Sequence, residues 1–256
     1  MEGTWKHREG TGRGKRWDAS VLDALRHGEI VAWNLVPWGS NDTFGVAIAA
    51  PGRQDPVAAI YKPRQGEAPL WDFPDGTLYL REYAAYRTAR ALGWDFIPPT
   101  VVREGPYGIG VVQLFIEHDP EQHYFALREE EGYRDQFQRI ALFDWLVNNA
   151  DRKAGHCLLG SDGKVWAIDH GLTFHVVPKL RTVIWDFAGE PVPQRLLDDV
   201  SRLLRDADRT RRLVEDLRHY LDPSEIEAFF QRAHDALRRG HYPRLDPRRN
   251  VPWPLV

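Results

Sequence analysis

One carboxylate constrains this chain more than any other feature. Residues 78–92 (LYLREYAAYRTARAL) carry a helical pattern closed by Gly93. Leu78, Ala85, Ala89 and Leu92 recur at helical spacing, and Glu82 completes the same stripe, four residues after Leu78 and three before Ala85. A carboxylate turned toward a core is costly unless a cation meets it. The helix therefore demands a basic partner, unless Glu82 lies at the edge of the stripe and reaches water along its own stem. The upstream candidate is Lys62, which ends the apolar run Val57-Ala58-Ala59-Ile60-Tyr61. Lysine is scarce in this chain: 28 of the 34 basic residues are Arg, and the six Lys stand at 6, 15, 62, 153, 164 and 179. A Lys kept at a strand end suggests that a compact point charge is wanted there, although a strand-end Lys is also an ordinary solvated residue.

The segments around this pair separate into two parts. Residues 1–17 are polar, basic and Gly-rich and read as a loose arm. Their Gly10-Thr11-Gly12-Arg13-Gly14-Lys15 run fails as a phosphate loop, because Glu9 and Arg16 occupy the positions of the required Gly and Ser/Thr. Ser20 reads as the cap of a short helix over 21–27. Strands follow over 30–36, 44–50 and 57–61, with turn chemistry at Gly39-Ser40-Asn41-Asp42. Residues 63–77 are a Pro-, Gly- and acid-rich loop. After the helix, strands over 100–103 and 109–116 flank Gly105-Pro106. From about residue 118 the pattern turns helical, with an apolar helix over 134–147 ending at Asn148-Asn149. A second clear helix is opened by Asp222-Pro223-Ser224-Glu225 and closed by Gly240. The expectation is an α+β, two-lobed chain: an arm (1–17), a β-rich first lobe with one main helix (18–112), a connector (113–118) and a mostly α-helical second lobe (119–256).

Composition removes several function classes. A lone Cys157 permits neither an internal disulfide nor a multi-cysteine zinc site. No apolar run approaches the ~18 residues of a membrane span, and the N-terminus lacks the apolar region of a secretory signal, so a cytoplasmic location is expected. A net charge of -3 argues against a general nucleic-acid binder.

The third constellation follows the apolar helix. Asp151-Arg152-Lys153-Ala154-Gly155-His156 leads into Cys157, then Asp162-Gly163, then Val165-Trp166-Ala167-Ile168 and Asp169-His170-Gly171. Asp162-Gly163 is a strong hairpin signal. A two-residue turn there sets His156 directly opposite Asp169, roughly 5 Å apart at Cβ. Asp151 lies on the loop that enters the hairpin. An ordinary hairpin with polar ends is the plain alternative.

Lys on a strand, Glu on the next helix, an Asp five residues before a ligand, and Asp-x-Gly at a strand end resemble the protein-kinase-like set. In detail the chain is most similar to the phosphatidylinositol 3-/4-kinase family, above all its type II 4-kinase and related bacterial branch, with HipA-type kinases more distant. The resemblance spans roughly residues 35–187. It rests on Ile60-Tyr61-Lys62-Pro63-Arg64, Arg81-Glu82-Tyr83-Ala84-Ala85-Tyr86, Gln113-Leu114-Phe115-Ile116-Glu117, Asn148-Asn149-Ala150-Asp151-Arg152 and Ala167-Ile168-Asp169-His170-Gly171-Leu172. It implies ATP and a divalent cation, Mg2+ or Mn2+. Ser40, Asn41, Asp42 and Thr43 would cover the phosphates, and Lys62, paired to Glu82, would hold them. Gln113, Leu114, Phe115 and Ile116 would receive the adenine. Asp151, with Arg152 and Lys62, would form the catalytic group, and Asp169 would hold the metal. Lys153, Lys179 and Arg181 would contact the acceptor, a hydroxyl on a protein Ser/Thr, an inositol lipid or a small molecule. Peripheral lipid contact is compatible with the sequence, whereas a long basic amphipathic helix or palmitoylation-type Cys cluster is lacking.

One position departs from the family. His156 stands where the second metal ligand is normally Asn. Imidazole suits softer metals than magnesium. His156 could ligate through nitrogen and favour manganese, or contact a phosphate while Asp169 carries the metal. The third outcome is a nucleotide-binding pseudokinase that serves as an interaction module. A metal hydrolase built on Asp151, His156, Asp169, His170 and His175 is the remaining alternative, but it leaves Lys62 and Glu82 unexplained.

Overall fold

The computed structural model describes residues 19–37 and 40–256. The arm over 1–17 and Gly39 lie outside the described residues. Helix α1 (Ala19–His27) starts one residue before Ser20, which falls in its first turn and not at its cap. Its Val21, Ala24 and Leu25 pack on a five-stranded antiparallel sheet. The sheet is built from β1 (Glu29–Val36), β2 (Thr43–Ala49) and β3 (Val57–Pro63), then, after helix α2 (Leu78–Leu92), from β4 (Thr100–Gly105) and β5 (Gly108–Leu114). The strand order is β1-β2-β3-β5-β4.

Period-two alternation decides which side chains enter the core. Phe44, Val46 and Ile48 of β2 and Val57, Ala59 and Tyr61 of β3 are buried with Val112 and Leu114 of β5. Lys62 therefore points to the opposite face from Tyr61. β3 continues two residues past the expected strand end, because Lys62 and Pro63 pair with Val111 and Gly110. Gly110 is needed there, since a Cβ would overlap the Lys62 carbonyl oxygen. β5 stops at Leu114, two residues early, after the Phe115 amide donates to Ala58 O.

The remaining chain is α3 (Tyr124–Leu127), α4 (Glu131–Val147), a hairpin of β6 (Cys157–Leu159) and β7 (Val165–Ala167), then α5 (Gln194–Arg205), α6 (Ala207–Leu217) and α7 (Pro223–Arg239). Helix α4 begins three residues before its expected start. Helix α7 opens with a capping box between Asp222 and Glu225 and closes at left-handed Gly240. Glu225 does more than cap: its other oxygen accepts from Arg81 of α2 at 2.7 Å, and Arg81 also donates to Thr173 O at 2.8 Å. Helix α2 shares the core of the helical part, with the Tyr83 ring edge-on to Tyr220 at 5.0 Å. The C-terminal segment returns to this region, where Leu255 O accepts from the Ala154 amide and Asn250 O from the Thr182 amide.

The hairpin register differs from expectation. Cys157 pairs with Ala167 and Leu159 with Val165. The turn holds three residues, Ser161, Asp162 and Gly163, with Gly163 at φ 75° and the Gly163 amide bonded to Gly160 O. This is the turn-plus-bulge alternative to a two-residue loop. It moves the partner of His156 from Asp169 to Ile168, whose amide donates to His156 O.

Candidate active site

The alternation of β3 and the stripe of α2 bring Lys62 and Glu82 together. Lys62 Nζ lies 3.0 Å from Glu82 Oε2 and 3.2 Å from Asp169 Oδ1. The Glu82 side chain is 2% exposed, so it neither sits at the stripe's edge nor reaches solvent. Its second oxygen, Oε1, is buried without a partner among the described residues. Burial by itself would lower the Lys62 pKa, but Asp169 and Glu82 together outweigh it and raise the pKa above the ordinary lysine value. The Lys62 charge in turn holds the Asp169 carboxyl well below the usual range, although burial opposes this. Lys62 stays an ammonium and Asp169 a carboxylate across the physiological range.

Asp169 reaches His156 despite the shifted register. Its backbone is left-handed, φ 59°, which turns the side chain back across the end of the hairpin. Asp169 Oδ2 lies 3.3 Å from His156 Nε2. The His156 tautomer follows from its other nitrogen: Nδ1 accepts from the Lys153 amide at 3.3 Å, so Nε2 carries the proton and faces Asp169 Oδ2. Burial pushes the His156 pKa down to about 4, so the ring is neutral at pH 7.

The catalytic-type loop leaves α4 through Asn148, in the left-handed conformation that its residue type tolerates. The Asn148 side chain donates to His175 O and Val177 O and accepts from the Lys179 amide. Asn149 Oδ1 accepts from the Asp151 amide at 3.0 Å. Asp151 lines the same cleft as Lys62, Glu82 and Asp169, and its Oδ2 is 3.3 Å from Lys153 Nζ. Burial, more than Lys153 can offset and with a further push from Asp169, raises the Asp151 pKa to about 6.

Arg152, expected among the catalytic groups, does not face this cleft. Its side chain is fully buried and bidentate to Asp144 of α4, at 2.8 and 2.9 Å. It also donates to Ile168 O at 2.7 Å, and its Nη2 lies 2.8 Å from His170 Nε2. Asp144 has a sequence signal of the kind that singles out Glu82: Phe137, Ile140, Asp144 and Val147 form one helical stripe, and all four are buried.

Ser40, Asn41, Asp42 and Thr43 line the same cleft as Asp151. They are tied to the loop after β3, where the Asp42 amide donates to Gly66 O and Asn41 Oδ1 accepts from the Ala68 amide. Of the four residues expected at the adenine, Gln113 spends its side chain on Thr100 Oγ1, and Leu114 and Phe115 donate their amides to Pro99 O and Ala58 O. Ile116 lies past the last ladder bond, and its carbonyl accepts from or faces His118 Nδ1 at 2.7 Å. Lys179, expected to contact the acceptor, is held by Asp72 at 2.7 Å with both side chains nearly buried. Arg181 is exposed, and its amide donates to Asn149 O. His170 and His175 do not join the cleft: His170 lies on Arg152, and His175 packs against Phe73 and bonds the Val177 amide.

Comparison with known proteins agrees with this arrangement. The sequence profile of the family described as "Phosphatidylinositol 3- and 4-kinase" matches residues 100–233, a little over half of the chain. The match begins at β4, so Lys62 and Glu82 precede it. Protein Rv2133c of Mycobacterium tuberculosis is 36% identical over 264 residues, covering 90% of this chain and 93% of that protein. A Helicobacter pylori proinflammatory kinase, CtkA, superimposes with a TM-score of 0.53 at 13% identity, over 84% of this chain and 97% of its own. The Golgi casein kinase does so with a TM-score of 0.51 at 15% identity, over 86% of this chain and 74% of its own. At such identities the two structures establish a shared protein-kinase-like fold. The family profile, which covers more than half of the chain, carries the further conclusion that this chain belongs to the phosphatidylinositol 3- and 4-kinase family.

Proposed function

We propose that the protein is an ATP-dependent phosphotransferase that moves the γ-phosphate to a hydroxyl acceptor. The observation that carries this reading is the Lys62 ammonium held between Glu82 and Asp169 in a cleft that also contains Asp151. A charge so fixed suits phosphate oxygens, and a carboxylate with a pKa of about 6 is suited to accept a hydroxyl proton near neutral pH. In this reading Lys62 binds the phosphates, Glu82 holds Lys62, and Asp151 orients and deprotonates the acceptor. Ser40, Asn41, Asp42 and Thr43 cover the phosphates, and the chain at Ile116 meets the adenine.

The residues fit a hard divalent cation. Asp169 is 47% exposed and offers carboxylate oxygens. Among the described residues no group of three or more His, Cys, Asp or Glu gathers into a ready-made cage. Magnesium in nucleotide sites is held in this way, by one or two carboxylates, with phosphates and water completing the shell. When bound, the cation would neutralise charge on the transferring phosphate. With its proton on Nε2, His156 suits donation to Asp169 or to a phosphate oxygen, and ligation would cost the contact with the Lys153 amide. His156 is therefore a positioning donor in this reading and not a second metal ligand.

Of the residues expected at the acceptor, Lys153 and Lys179 are ion-paired with Asp151 and Asp72, whereas Arg181 is exposed. No described helix is long and apolar enough to cross a membrane. ATP consumption measured with Mg2+ and with Mn2+, for the parent chain and for Lys62→Met and Asp169→Asn, tests the reading. Turnover that survives both substitutions would refute it. The nucleotide-binding pseudokinase keeps one supporting observation, His156 in place of Asn. Thermal stabilisation by ATP and metal without any ATP consumption would favour it. The hydrolase alternative loses His170 and His175, which lie away from the cleft.

A further inference from the structure

We infer that Arg152 is a positioning residue whose buried guanidinium fixes the separation of Asp151 and Asp169, acting with Asp144 and His170; this rests on the phosphotransfer reading above. All five guanidinium N–H donors are matched. Nε and one Nη2 hydrogen go to Asp144, the other Nη2 hydrogen meets His170 Nε2, and Nη1 donates to Ile168 O and, at 3.3 Å, to His156 O. A guanidinium is a rigid plane with its donors in a fixed fork. Once Asp144 sets that plane from α4, the places of Ile168 O and His170 Nε2 are set as well.

Those two groups belong to the residues on either side of Asp169. Asp169 is held left-handed at φ 59°, a conformation that costs a non-glycine residue energy and persists where its surroundings over-determine it. Tethers on both neighbours supply that. At its other end Arg152 directly follows Asp151, and its backbone is pinned: the Arg152 amide donates to Arg181 O, and the Val183 amide to Arg152 O. One side chain thus spans from the proposed proton acceptor to the proposed metal ligand without touching the cleft. The His170 ring points the same way. Accepting from Arg152 at Nε2 puts the ring proton on Nδ1, which is buried with no partner among the described residues. The ring bears an unsatisfied donor while its other nitrogen serves Arg152.

The test removes the clamp without stranding a charge. Arg152→Ala would leave Asp144 buried and alone, so the double variant Asp144→Leu/Arg152→Met replaces the ion pair with apolar groups of similar volume, an exchange that folds tolerate. Circular dichroism and Tm close to the parent are expected. Turnover should fall about 100-fold, the scale of an ångström-level misplacement of reacting groups, while ATP affinity changes less than about threefold. Amide exchange at residues 150–152 and 168–171 should quicken, with exchange elsewhere unchanged. His170→Leu should lose kcat about tenfold at unchanged KM for ATP, and His170→Gln, whose amide oxygen can accept the same bond, should recover most of it. Retained kcat in the folded double variant, or unchanged exchange at those residues, would overturn the inference, as would equal losses in His170→Leu and His170→Gln. Absent turnover in the parent chain would refute the phosphotransfer reading instead, and the exchange measurement would still decide the clamp.

Discussion

Replacing Asp151 with Asn should stabilise the ligand-free protein while removing its chemistry. Burial opposes ionisation of Asp151; Lys153 offsets part of this and Asp169 adds to it, so the carboxyl pKa rises from an ordinary 3.8 to about 6. Each pKa unit corresponds to about 1.4 kcal/mol, so keeping Asp151 ionised at pH 8 costs the folded state on the order of 3 kcal/mol relative to the unfolded chain. The sign is fixed by the upward shift. The contribution to stability is fully present below pH 3.8 and is lost as the pH rises through about 6. Asn has no charge to hold, so the variant escapes the loss. Between pH 5 and pH 8 its advantage over the parent should widen by about 1.5 kcal/mol, or roughly 3–6 °C in Tm for a chain of this size. Thermal unfolding across that range, with chelator and without nucleotide, measures the gap. A gap that does not change with pH, or an Asn variant less stable at pH 8, would refute the account of Asp151 as a carboxylate strained by its surroundings. The same variant should lose turnover by about 10²–10⁴-fold, the usual weight of a general base. In the parent, kcat/KM should climb through about pH 6 to a plateau, as Asp151 becomes able to take a proton.

Lys62→Met should weaken ATP binding at least about tenfold and also destabilise the fold by about 3 kcal/mol, because Glu82 is left buried with no cation; isothermal titration and urea unfolding read the two effects separately. Gly110→Ala should destabilise by about 1–3 kcal/mol and reduce ATP affinity through displacement of the Lys62 backbone, which the same pair of measurements resolves. His156→Asn should retain Mg2+-dependent turnover, since an amide N–H can stand where the Nε2–H faces Asp169; a complete loss in both Mg2+ and Mn2+ would contradict this positioning role. Cys157 is fully buried with its pKa pushed up to about 12 by burial, so iodoacetamide at pH 8 should label it only on unfolding, as followed by mass spectrometry.

The sequence carried the identity of the cleft residues further than their geometry. Glu82 was legible because a charge inside an apolar stripe needs a partner wherever the helix ends up, and only Lys62 stood at the end of an apolar strand upstream. His156 and Asp169 do come together, but the two-residue turn expected at Asp162-Gly163 is a three-residue turn with a bulge. Turn type is chosen by strand twist and packing as well as by the dipeptide, so register is less secure than the presence of a hairpin. Contact survives because Asp169 bends back through a left-handed backbone, which no local pattern announces. Arg152 was misplaced for a different reason. A residue adjacent to Asp151 in sequence was expected beside it in the cleft, whereas its side chain enters the core, where Asp144 awaits it. Lys179, which the family resemblance sets at the acceptor, is neutralised by Asp72, more than one hundred residues away.

The chain by itself determined the alternation of the strands, the stripe of α2, the capping box of α7 and the order of the kinase-like segments. Each of these depends on residues within a few positions of one another, and their chemistry is fixed by residue type. Tertiary structure alone decided which charges meet. Asp144 with Arg152, Asp72 with Lys179, Arg81 with Glu225 and Lys62 with Asp169 join separate segments of the chain, and a long charged side chain carries no local sign of whether it will turn to water or inward. The large cost of leaving a buried charge unpaired settles the matter only once the segments are packed, which is why the sequence showed that Glu82 needed a cation and the fold showed that Asp169 shares it.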